Sequence, residues 1–440
     1  PTPFVTGLGT LPLALLRQNS AAWPGLNALQ SPPKLEPMAI RFASFNASLN
    51  RAAEAALITD LTTPDNAQAQ AIAEIIQRTN PDVILINEFD YDAAGAAAAL
   101  FQENYLGVSQ NGVAPVEYPY VYAAPSNTGV PSGLDLNNDG TVGGPDDAYG
   151  FGFFPGQFAF VIYSKYPIVE DQIRTFQEFL WADMPGALLP ADPADADGNG
   201  DTASWFTPEE LAEVRLSSKN HVDLPVEVNG EIIHVLASHP TPPVFDGPED
   251  RNGRRNYDEI RFWSDYIDGA DYIYDDSGNF GGLAAGAKFV IMGDQNSDPF
   301  DGDSIPGAAQ LLLENPLVNT SVTPSSAGGV DAAERQGGVN ADQLGNPAFD
   351  TADFGFNPAD PTTDIAPGNL RVDYVLPSDN LKILDAQVFW QPSDDPLFPL
   401  AEFPTSDHRL VYVDVEADGA LPEQRRTRVS GLEFLGEVTF

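Results

Sequence analysis

Five short apolar runs each end in polar side chains, at the point where a buried strand would reach solvent. This pattern constrains the fold more than any other feature of the sequence. The polar side chains are Asn46, Glu88, His239, Asp294 with Asn296, and Asp407 with His408. Short apolar runs bounded by polar residues are typical of buried strands. We therefore expect these groups to form one polar site at the edge of a rigid sheet.

The rest of the chain alternates between predicted strands and helices, which indicates α/β or α+β layering. Apolar residues recur at helical spacing in 66–79 and 252–270, and both segments are predicted helices. Segments rich in Gly, Asp and Pro at 125–157, 183–208 and 318–369 are predicted loops. The predicted strands are 39–46, 82–88, 158–164, 231–238, 287–293, 371–376 and 409–415.

Composition excludes several classes of protein. The 440 residues include 64 acidic and 21 basic side chains, and the net charge of −43 argues against binding of duplex nucleic acid, which depends on cationic side chains. The absence of cysteine excludes disulfides, iron–sulfur clusters and thiolate zinc sites. No apolar stretch reaches the roughly 18 residues of a membrane helix.

Three segments are predicted along the chain. Residues 1–38 form an N-terminal extension packed on the main domain, and residues 39–416 form the catalytic domain. Residues 417–440 are a linker or the start of a further domain, because a basic stretch there is followed by an apolar one.

The chemistry of the strand ends points to hydrolysis of a phosphate ester. Glu88 and Asn46 offer the hard oxygen ligands that Mg²⁺ or Mn²⁺ prefers, although Glu88 alone could be a solvated carboxylate at a strand end. Asp294 and Asn296 are two positions apart, so both side chains can leave the same face of an extended segment. One could orient or deprotonate water and the other donate to a phosphoryl oxygen, or both could belong to an Asx-turn.

A histidine and two carboxylates form a second group. Asp407 and His408 are adjacent, and Asp373 interrupts an apolar run where an unpaired carboxylate would be costly. Asp373 is therefore the candidate that fixes the tautomer of His408. Taken alone, the "SDH" segment would be read as a turn.

His239 opens a loop that carries Arg251, Arg254 and Arg255 in a chain otherwise poor in cations. The three arginines are candidates for binding phosphate oxygens. The alternative is that they pair with acidic residues of the same loop, namely Asp246, Glu249 and Asp250.

The ordered motifs "FNASLN", "NEFD", "SKYPI", "SHP", "GDQNSDP", "RVDYVLPS" and "SDHRL" resemble those of the endonuclease/exonuclease/phosphatase superfamily. The resemblance covers about residues 39–416 and implies a DNase I-like, four-layer α/β sandwich of two packed mixed sheets flanked by helices. The loop after His239 resembles an exported bacterial branch of that superfamily. The tail resembles the beginning of a phytase-like β-propeller.

The resemblance also implies roles for individual residues. Asn46 and Glu88 resemble the ligands of the divalent metal, with Asp407 contributing. Asp294 and Asn296 resemble the pair that orients water and phosphate. His408 resembles the catalytic histidine supported by Asp373, and His239 resembles the second, phosphate-stabilising histidine. No clear match exists for the carboxylate that partners this second histidine in DNase I.

A second ion site is predicted at 135–146. Asp135, Asn137, Asp139 and Asp146 have the spacing of a calcium loop, with Gly140 at the sharp turn. The alternative is a solvated acidic loop, and the acidic segment 195–201 is a weaker candidate of the same kind. A calcium clamp favours a secreted or periplasmic protein.

The leading hypothesis is a secreted, metal-dependent phosphoesterase acting on small or lipid-derived phosphate mono- or diesters. An extracellular nuclease is the first alternative, and it would need a basic or aromatic groove outside the site. A calcium-dependent binding module with an inactive phosphatase fold is the second alternative. Loss of Glu88, Asp294 or His408 would have favoured that reading, and all three are present.

Overall fold

The computed structural model describes residues 38–193, 204–245, 247–355 and 365–417. The acidic segment 195–201 lies outside these residues, as do residues 1–37 of the predicted extension and residues 418–440 of the predicted tail. The three predicted segments of the chain therefore stay a prediction.

Thirteen strands occur in the described residues, and they are numbered β1 to β13 in chain order. They are Met38–Leu49, Val83–Phe89, Tyr120–Ala123, Phe160–Ser164, Arg174–Thr175, His221–Val228, Glu231–Ser238, Lys288–Asp294, Ala352–Asp353, Asn369–Leu370, Asp373–Pro377, Ile383–Val388 and Val411–Ala417.

The α-helices of the described residues are numbered α1 to α7. They are Ala56–Leu61, Ala67–Thr79, Ala96–Phe101, Pro208–Leu211, Arg251–Ile267, Gln310–Leu313 and Ala327–Gln336. A π-helix, Gln102–Leu106, directly follows α3, and short 3-10 helices lie in the loops. None of the helices in the described part of the chain has the length and apolarity needed to cross a membrane.

Two mixed sheets form the centre of the molecule. The first has the strand order β12-β13-β1-β2-β4-β3, and the second has the order β11-β8-β7-β6-β5. The parallel pairs are β1 with β2 in the first sheet and β7 with β8 in the second. Apolar side chains of both sheets pack against each other between them, among them Phe42, Leu85, Val235 and Val290. The main core therefore lies between the sheets.

Helices cover the outer faces of both sheets. Helix α2 begins at the Asn66 cap, whose side chain accepts the N–H of Ala69, and ends at Asn80 in a left-handed conformation. Its Ile72 and Ile76 pack on the outer face of the first sheet. Helix α5 packs Ile260, Trp263 and Ile267 on the outer face of the second sheet. The predicted four-layer α/β sandwich is confirmed.

The seven predicted strands and both predicted helices are present, with ends shifted by up to three residues. The predicted loop 318–369 contains helix α7, which has a sparse apolar face and is capped by the Ser326 side chain at Gly329. Strand β6 is another element that the sequence did not predict. It interleaves apolar residues with His221, Asp223 and Pro225, and these three residues are buried by tertiary packing.

Candidate active site

The strand ends bring the predicted polar side chains to one edge of the sandwich. Asn46 and Glu88 lie near the ends of the parallel strands β1 and β2, in the first sheet. In the second sheet, Asp294 ends β8 and is the register partner of Asp373, which begins β11. His239 directly follows β7, and His408 lies three residues before β13. The two sheets therefore contribute to the same site.

One carboxylate oxygen, Asp294 Oδ2, is the centre of this arrangement. It lies 3.1 Å from Asn46 Nδ2, 3.4 Å from His239 Nε2 and 3.6 Å from His408 Nε2. Burial would raise the pKa of Asp294, but His408, His239 and the hydrogen bond from Asn46 lower it well below its usual range. Asp294 is therefore an ionised carboxylate at neutral pH.

His408 is held between two buried carboxylates. Its Nδ1 lies 2.9 Å from Asp373 Oδ2, which also accepts a hydrogen bond of 2.8 Å from the Thr351 hydroxyl. Burial lowers the pKa of His408, but Asp373 and Asp294 outweigh burial and raise it well above its usual value. Burial also raises the pKa of Asp373 to about 6, despite the opposing effect of His408. We interpret His408 and Asp373 as an ion pair, because both imidazole nitrogens face carboxylate oxygens.

His239 has a different environment from His408. It is 3% exposed, and its Nδ1 is buried without a hydrogen-bond partner. Burial and the nearby charge of Lys219 lower its pKa. His239 is therefore a neutral imidazole, and no carboxylate of the described residues bonds to its Nδ1.

Three residues at the same edge have left-handed backbone conformations. Ser48, Glu88 and Asn296 have positive φ angles of 47°, 56° and 51°, a conformation that is uncommon for residues other than glycine. Asn296 is fixed by two hydrogen bonds: its N–H donates to Asp294 Oδ1 at 2.9 Å, and its side-chain amide donates to the Pro240 carbonyl at 3.1 Å. The Asn296 amide thus lies beside the Asp294 carboxylate, and the first of these bonds has the geometry of an Asx-turn.

Two of the three predicted metal ligands line a cleft of about 1100 Å³. Glu88 and Asp407 are both in its wall, together with Asp294 and Asn296. Glu88 accepts hydrogen bonds from Asn46 Nδ2 at 3.2 Å and from Asn50 Nδ2 at 2.7 Å. Two carboxylates and neighbouring amides are a donor set that suits a hard divalent cation.

Asn46 fits a metal ligand only with its amide turned over. Its Oδ1 accepts the N–H of Ser48 at 3.2 Å, whereas Nδ2 faces Glu88 and Asp294. Oxygen and nitrogen of an amide are assigned from the hydrogen-bond network, and a cation beside Glu88 would favour the opposite assignment.

A different group of ligand atoms lies closer together. In the described residues, Asp294, Asp373 and His408 have carboxylate and imidazole atoms within 4.8 Å of one another. A cation bound there would have to replace the contacts that both nitrogens of His408 already make. We therefore interpret this group as a hydrogen-bonded triad rather than a metal site.

The three predicted phosphate-binding arginines lie on α5, and each makes different contacts. Arg255 donates to the carbonyls of Leu216, Tyr149 and Arg215, and Arg251 donates to the carbonyl of Leu136. Arg254 lies 3.9 Å from Asp250, as in the alternative reading of this loop. Arg251 and Arg255 line a second cavity described below.

The predicted calcium loop is closed by the residue next to the expected one. Backbone N–H groups of Asp139 and Gly140 donate to Asp135, and Asp139 N–H also donates to Asn137. The carboxylate of Asp147 accepts the N–H groups of Leu136 and Gly143, each at 2.8 Å. Asp146 lines the cavity that contains Arg251 and Arg255.

Sequence reasoning missed three residues around the site. Lys219, Glu259 and Thr351 are 6%, 1% and 1% exposed. None of them ends an apolar run, so the strand-end pattern could not select them. Lys219 and Glu259 are unusual because they are charged and buried, and that burial is visible only in the fold.

A known protein family matches most of this chain. The sequence profile of the Endonuclease/Exonuclease/phosphatase family matches residues 43–408, so the chain belongs to that family. A comparison with curated protein sequences gave no match. The solved structures that match include three from bacteria.

An endonuclease/exonuclease/phosphatase from Beutenbergia cavernae has 17% identity and a TM-score of 0.42, covering 87% of this chain and 72% of its own. A family protein from Leptotrichia buccalis has 14% identity and a TM-score of 0.45, covering 86% and 100%. Sphingomyelinase C from Streptomyces griseocarneus has 15% identity and a TM-score of 0.43, covering 86% and 99%.

Proposed function

We propose that this protein is a divalent-metal-dependent phosphoesterase that hydrolyses small phosphate mono- or diesters by in-line attack of water. The observation that supports the proposal most is the convergence of His239 and His408 on one oxygen of Asp294. In the reaction, the bond from phosphorus to the alcohol oxygen breaks and a bond from phosphorus to the water oxygen forms. The alcohol leaves with a proton that comes from the attacking water.

Asp294 orients the water in this proposal. A carboxylate whose pKa is held this low accepts a hydrogen bond well but is a weak base. It therefore positions the water oxygen opposite the leaving group and takes up a proton only as the bond to phosphorus forms. The side-chain amide of Asn296 donates one N–H to the Pro240 carbonyl and offers the other to a phosphoryl oxygen.

The two histidines stabilise the charge that develops on the phosphoryl group. His408, cationic through its pairing with Asp373, donates through Nε2. His239 is neutral, and its Nε2 faces the same side of the site. The cationic donor and the neutral donor would together bind the phosphoryl oxygens, each of which carries part of the negative charge.

Mg²⁺ or Mn²⁺ is the proposed catalytic metal. Glu88 and Asp407 would hold it, with the Asn46 amide turned to present its oxygen. The bound ion would neutralise phosphoryl oxygens and act as a Lewis acid. Glu88 is oriented for this role by the Asn50 amide.

The net charge of −43 supports a small or lipid-derived substrate over duplex DNA. We also propose a secreted or periplasmic location and a structural Ca²⁺ at 135–146, on the grounds of the calcium-loop spacing. We further propose a phytase-like domain after residue 417, on the grounds of the resemblance of the tail.

Hydrolysis of bis-p-nitrophenyl phosphate, p-nitrophenyl phosphate and plasmid DNA, assayed in parallel, tests this function. We expect turnover of at least one small ester, loss of turnover in EDTA and recovery with Mg²⁺ or Mn²⁺. His408→Ala and Glu88→Ala should each abolish turnover in folded protein. His234→Ala is the matched control, because His234 pairs with Asp223 within the second sheet.

Three other outcomes would contradict the proposal. Substantial activity of either site variant would contradict the site assignment. DNA cleavage without ester cleavage would favour the extracellular nuclease. Inactivity on all three substrates would favour the calcium-dependent binding module.

A further inference from the structure

Lys219 is a buried cation that forms no direct salt bridge with a carboxylate of the described residues. Its side chain is 6% exposed, and its ammonium nitrogen has one hydrogen-bond contact, 3.4 Å from the Pro240 carbonyl. No carboxylate among the described residues lies within ion-pair distance of Lys219. Burying an ammonium group without a counter-charge is costly, so such a residue needs a reason to be retained.

The carboxylate of Glu259 makes its hydrogen bonds to the backbone and not to Lys219. Its two oxygens accept the backbone N–H groups of Ser218 and Thr241, both at 2.6 Å. These bonds fix the segment before β6 to the loop after β7, and Lys219 and His239 lie on these two segments. Lys219 is thus held rigidly while its ammonium group keeps free donors.

Lys219 lines a cavity of about 310 Å³ that adjoins the catalytic cleft. Glu88 and His239 are in the walls of both. Among the other cations of the cavity, Arg251 and Arg255 already donate to backbone carbonyls, and Arg215 donates to Asn127. Most of the wall is apolar, and it includes Leu136, Phe151, Phe158, Trp181, Phe206 and Val214.

We propose that this cavity is a substrate subsite, in which Lys219 binds a phosphoryl oxygen and the apolar wall binds the organic group of the ester. The inference rests on the proposed phosphoesterase function and names its substrate class. That class is a phosphate ester of a compact apolar alcohol, of the size of an aryl group or a short acyl chain. A cavity of this volume is at the lower end of the range for small-molecule sites, roughly 300–1,000 Å³.

The ammonium group of Lys219 and the apolar wall of the cavity make separate contributions to the binding of the substrate. The incoming anion would be a directly bonded partner for Lys219, so binding gains a charge-assisted hydrogen bond. The apolar wall favours an aryl group over a methyl group by the apolar area that the ring buries. A variant of Lys219 should therefore weaken every phosphoryl ligand, and a variant of the wall should weaken only the aromatic one.

Binding of phenylphosphonate and methylphosphonate, measured by titration calorimetry at a fixed Mg²⁺ concentration, tests the proposal. Their carbon–phosphorus bonds exclude turnover. Wild type should bind phenylphosphonate at least about fivefold more tightly, since a buried ring is worth more than 1 kcal/mol. Lys219→Met should weaken both ligands at least about tenfold, the loss of one charge-assisted hydrogen bond, and Lys219→Arg should restore part of the affinity.

Ala148→Phe fills the cavity, since Ala148 lines it. It should remove the preference for phenylphosphonate and leave methylphosphonate binding unchanged. Lys165→Met is the matched control for Lys219→Met, because Lys165 pairs with Asp82 away from the site. If Lys219→Met does not fold, Lys219→Gln takes its place.

Two results would overturn the proposal: unchanged binding in the Lys219 variant, or a wild type that binds the two phosphonates equally or not at all. The calorimetric test is independent of turnover. A protein that binds phenylphosphonate through Lys219 yet cleaves no ester would contradict the proposed function and leave the subsite intact.

Discussion

Asp373 holds the Nδ1 atom of His408 at 2.9 Å, which leaves only Nε2 of the imidazole to face Asp294. His408 belongs to the segment before β13 of the first sheet, whereas Asp373 begins β11 of the second. The pair therefore forms only when the two sheets pack. The same packing that buries the central core sets the protonation state and orientation of the proposed catalytic histidine.

Asp373→Asn should lower kcat while the protein stays folded. The variant keeps the shape of the side chain but removes the charge that makes His408 cationic. We expect a fall of about 10–100-fold, the usual cost of losing a residue that orients a catalytic or ligating histidine. Steady-state kinetics on the small ester that is hydrolysed best would measure it.

Thr351→Val is the matched control for Asp373→Asn. It removes the hydroxyl that donates to Asp373 Oδ2 and leaves the charge pair in place. It should lower kcat less than Asp373→Asn does. An equal loss in the two variants would mean that packing, and not charge, is what Asp373 provides.

Glu88→Gln should increase the metal concentration needed for half-maximal activity. The amide keeps the hydrogen-bonding length of the side chain but removes one negative ligand. We expect a shift of at least about tenfold, because cation affinity follows the number of charged oxygen ligands. Activity titrated with Mg²⁺ and Mn²⁺ after EDTA treatment is the measurement.

Glu231→Gln controls for the general loss of one acidic residue, since Glu231 pairs with Lys288 at the far end of β7. It should leave the metal titration unchanged. A Glu88→Gln curve that overlays wild type would remove Glu88 from the proposed metal site.

Calcium should stabilise the loop at 135–146. Ca²⁺ at about one hundred times its Kd should raise the free energy of unfolding by about 2.7 kcal/mol, provided that only the folded protein binds it. Asp135→Ala should abolish the effect, because Asp135 occupies the first ligand position. Thermal unfolding at several Ca²⁺ concentrations would show it, and Mg²⁺ at the same concentrations is the control.

Comparison of Asp146→Ala with Asp147→Ala decides which carboxylate closes the calcium loop. Sequence spacing favours Asp146, whereas Asp147 faces the loop in the structure. Loss of the calcium effect only in the Asp147 variant would correct the predicted ligand set. Stabilisation of wild type by neither ion would leave a solvated acidic loop.

Strand ends were predictable from the sequence because a buried strand must end where polar side chains begin. Asn46, Glu88 and Asp294 could be selected in this way, and the fold brings them together. Lys219 could not be selected, since it lies in the polar segment "SSKN" and is buried by distant parts of the chain. Thr351 lies in a segment predicted to be a loop, so its contact with Asp373 depends on tertiary structure alone.

Asp350→Asn should stabilise the protein at neutral and mildly alkaline pH. Asp350 is 4% exposed, and its Oδ2 has no hydrogen-bond partner in the part of the chain that the structure describes. Burial, with the charges of Asp298 and Asp301, raises its pKa from 3.8 to about 8. The folded state therefore keeps a proton that the unfolded state releases above pH 3.8, and stability falls as the pH rises towards 8.

Asparagine mimics the protonated carboxyl of Asp350 at every pH. We expect a gain of at least about 1 kcal/mol at pH 8 and a much smaller difference near pH 4, measured by urea unfolding. A gain that does not change with pH would assign the effect to packing instead of titration.

His221 should make the folded protein sensitive to mild acid. It is fully buried, its Nε2 donates to the Glu259 carbonyl at 2.9 Å, and its Nδ1 accepts from the Ser217 hydroxyl at 2.6 Å. Both nitrogens are thus occupied in the neutral form, because the carbonyl can only accept. Burial lowers the pKa of His221 from 6.5 to about 4.

The sign of this effect follows from the depressed pKa of His221. Between pH 6.5 and about 4 the unfolded state takes up a proton that the folded state does not, so stability is present above pH 6.5 and is lost as the pH falls. The loss amounts to about 3 kcal/mol over that interval. His221→Gln, which cannot titrate, should lack this part of the pH dependence. Urea unfolding of both proteins at pH 7.5 and at pH 4.5 measures the difference, and parallel losses in the two would show that other groups cause the acid sensitivity.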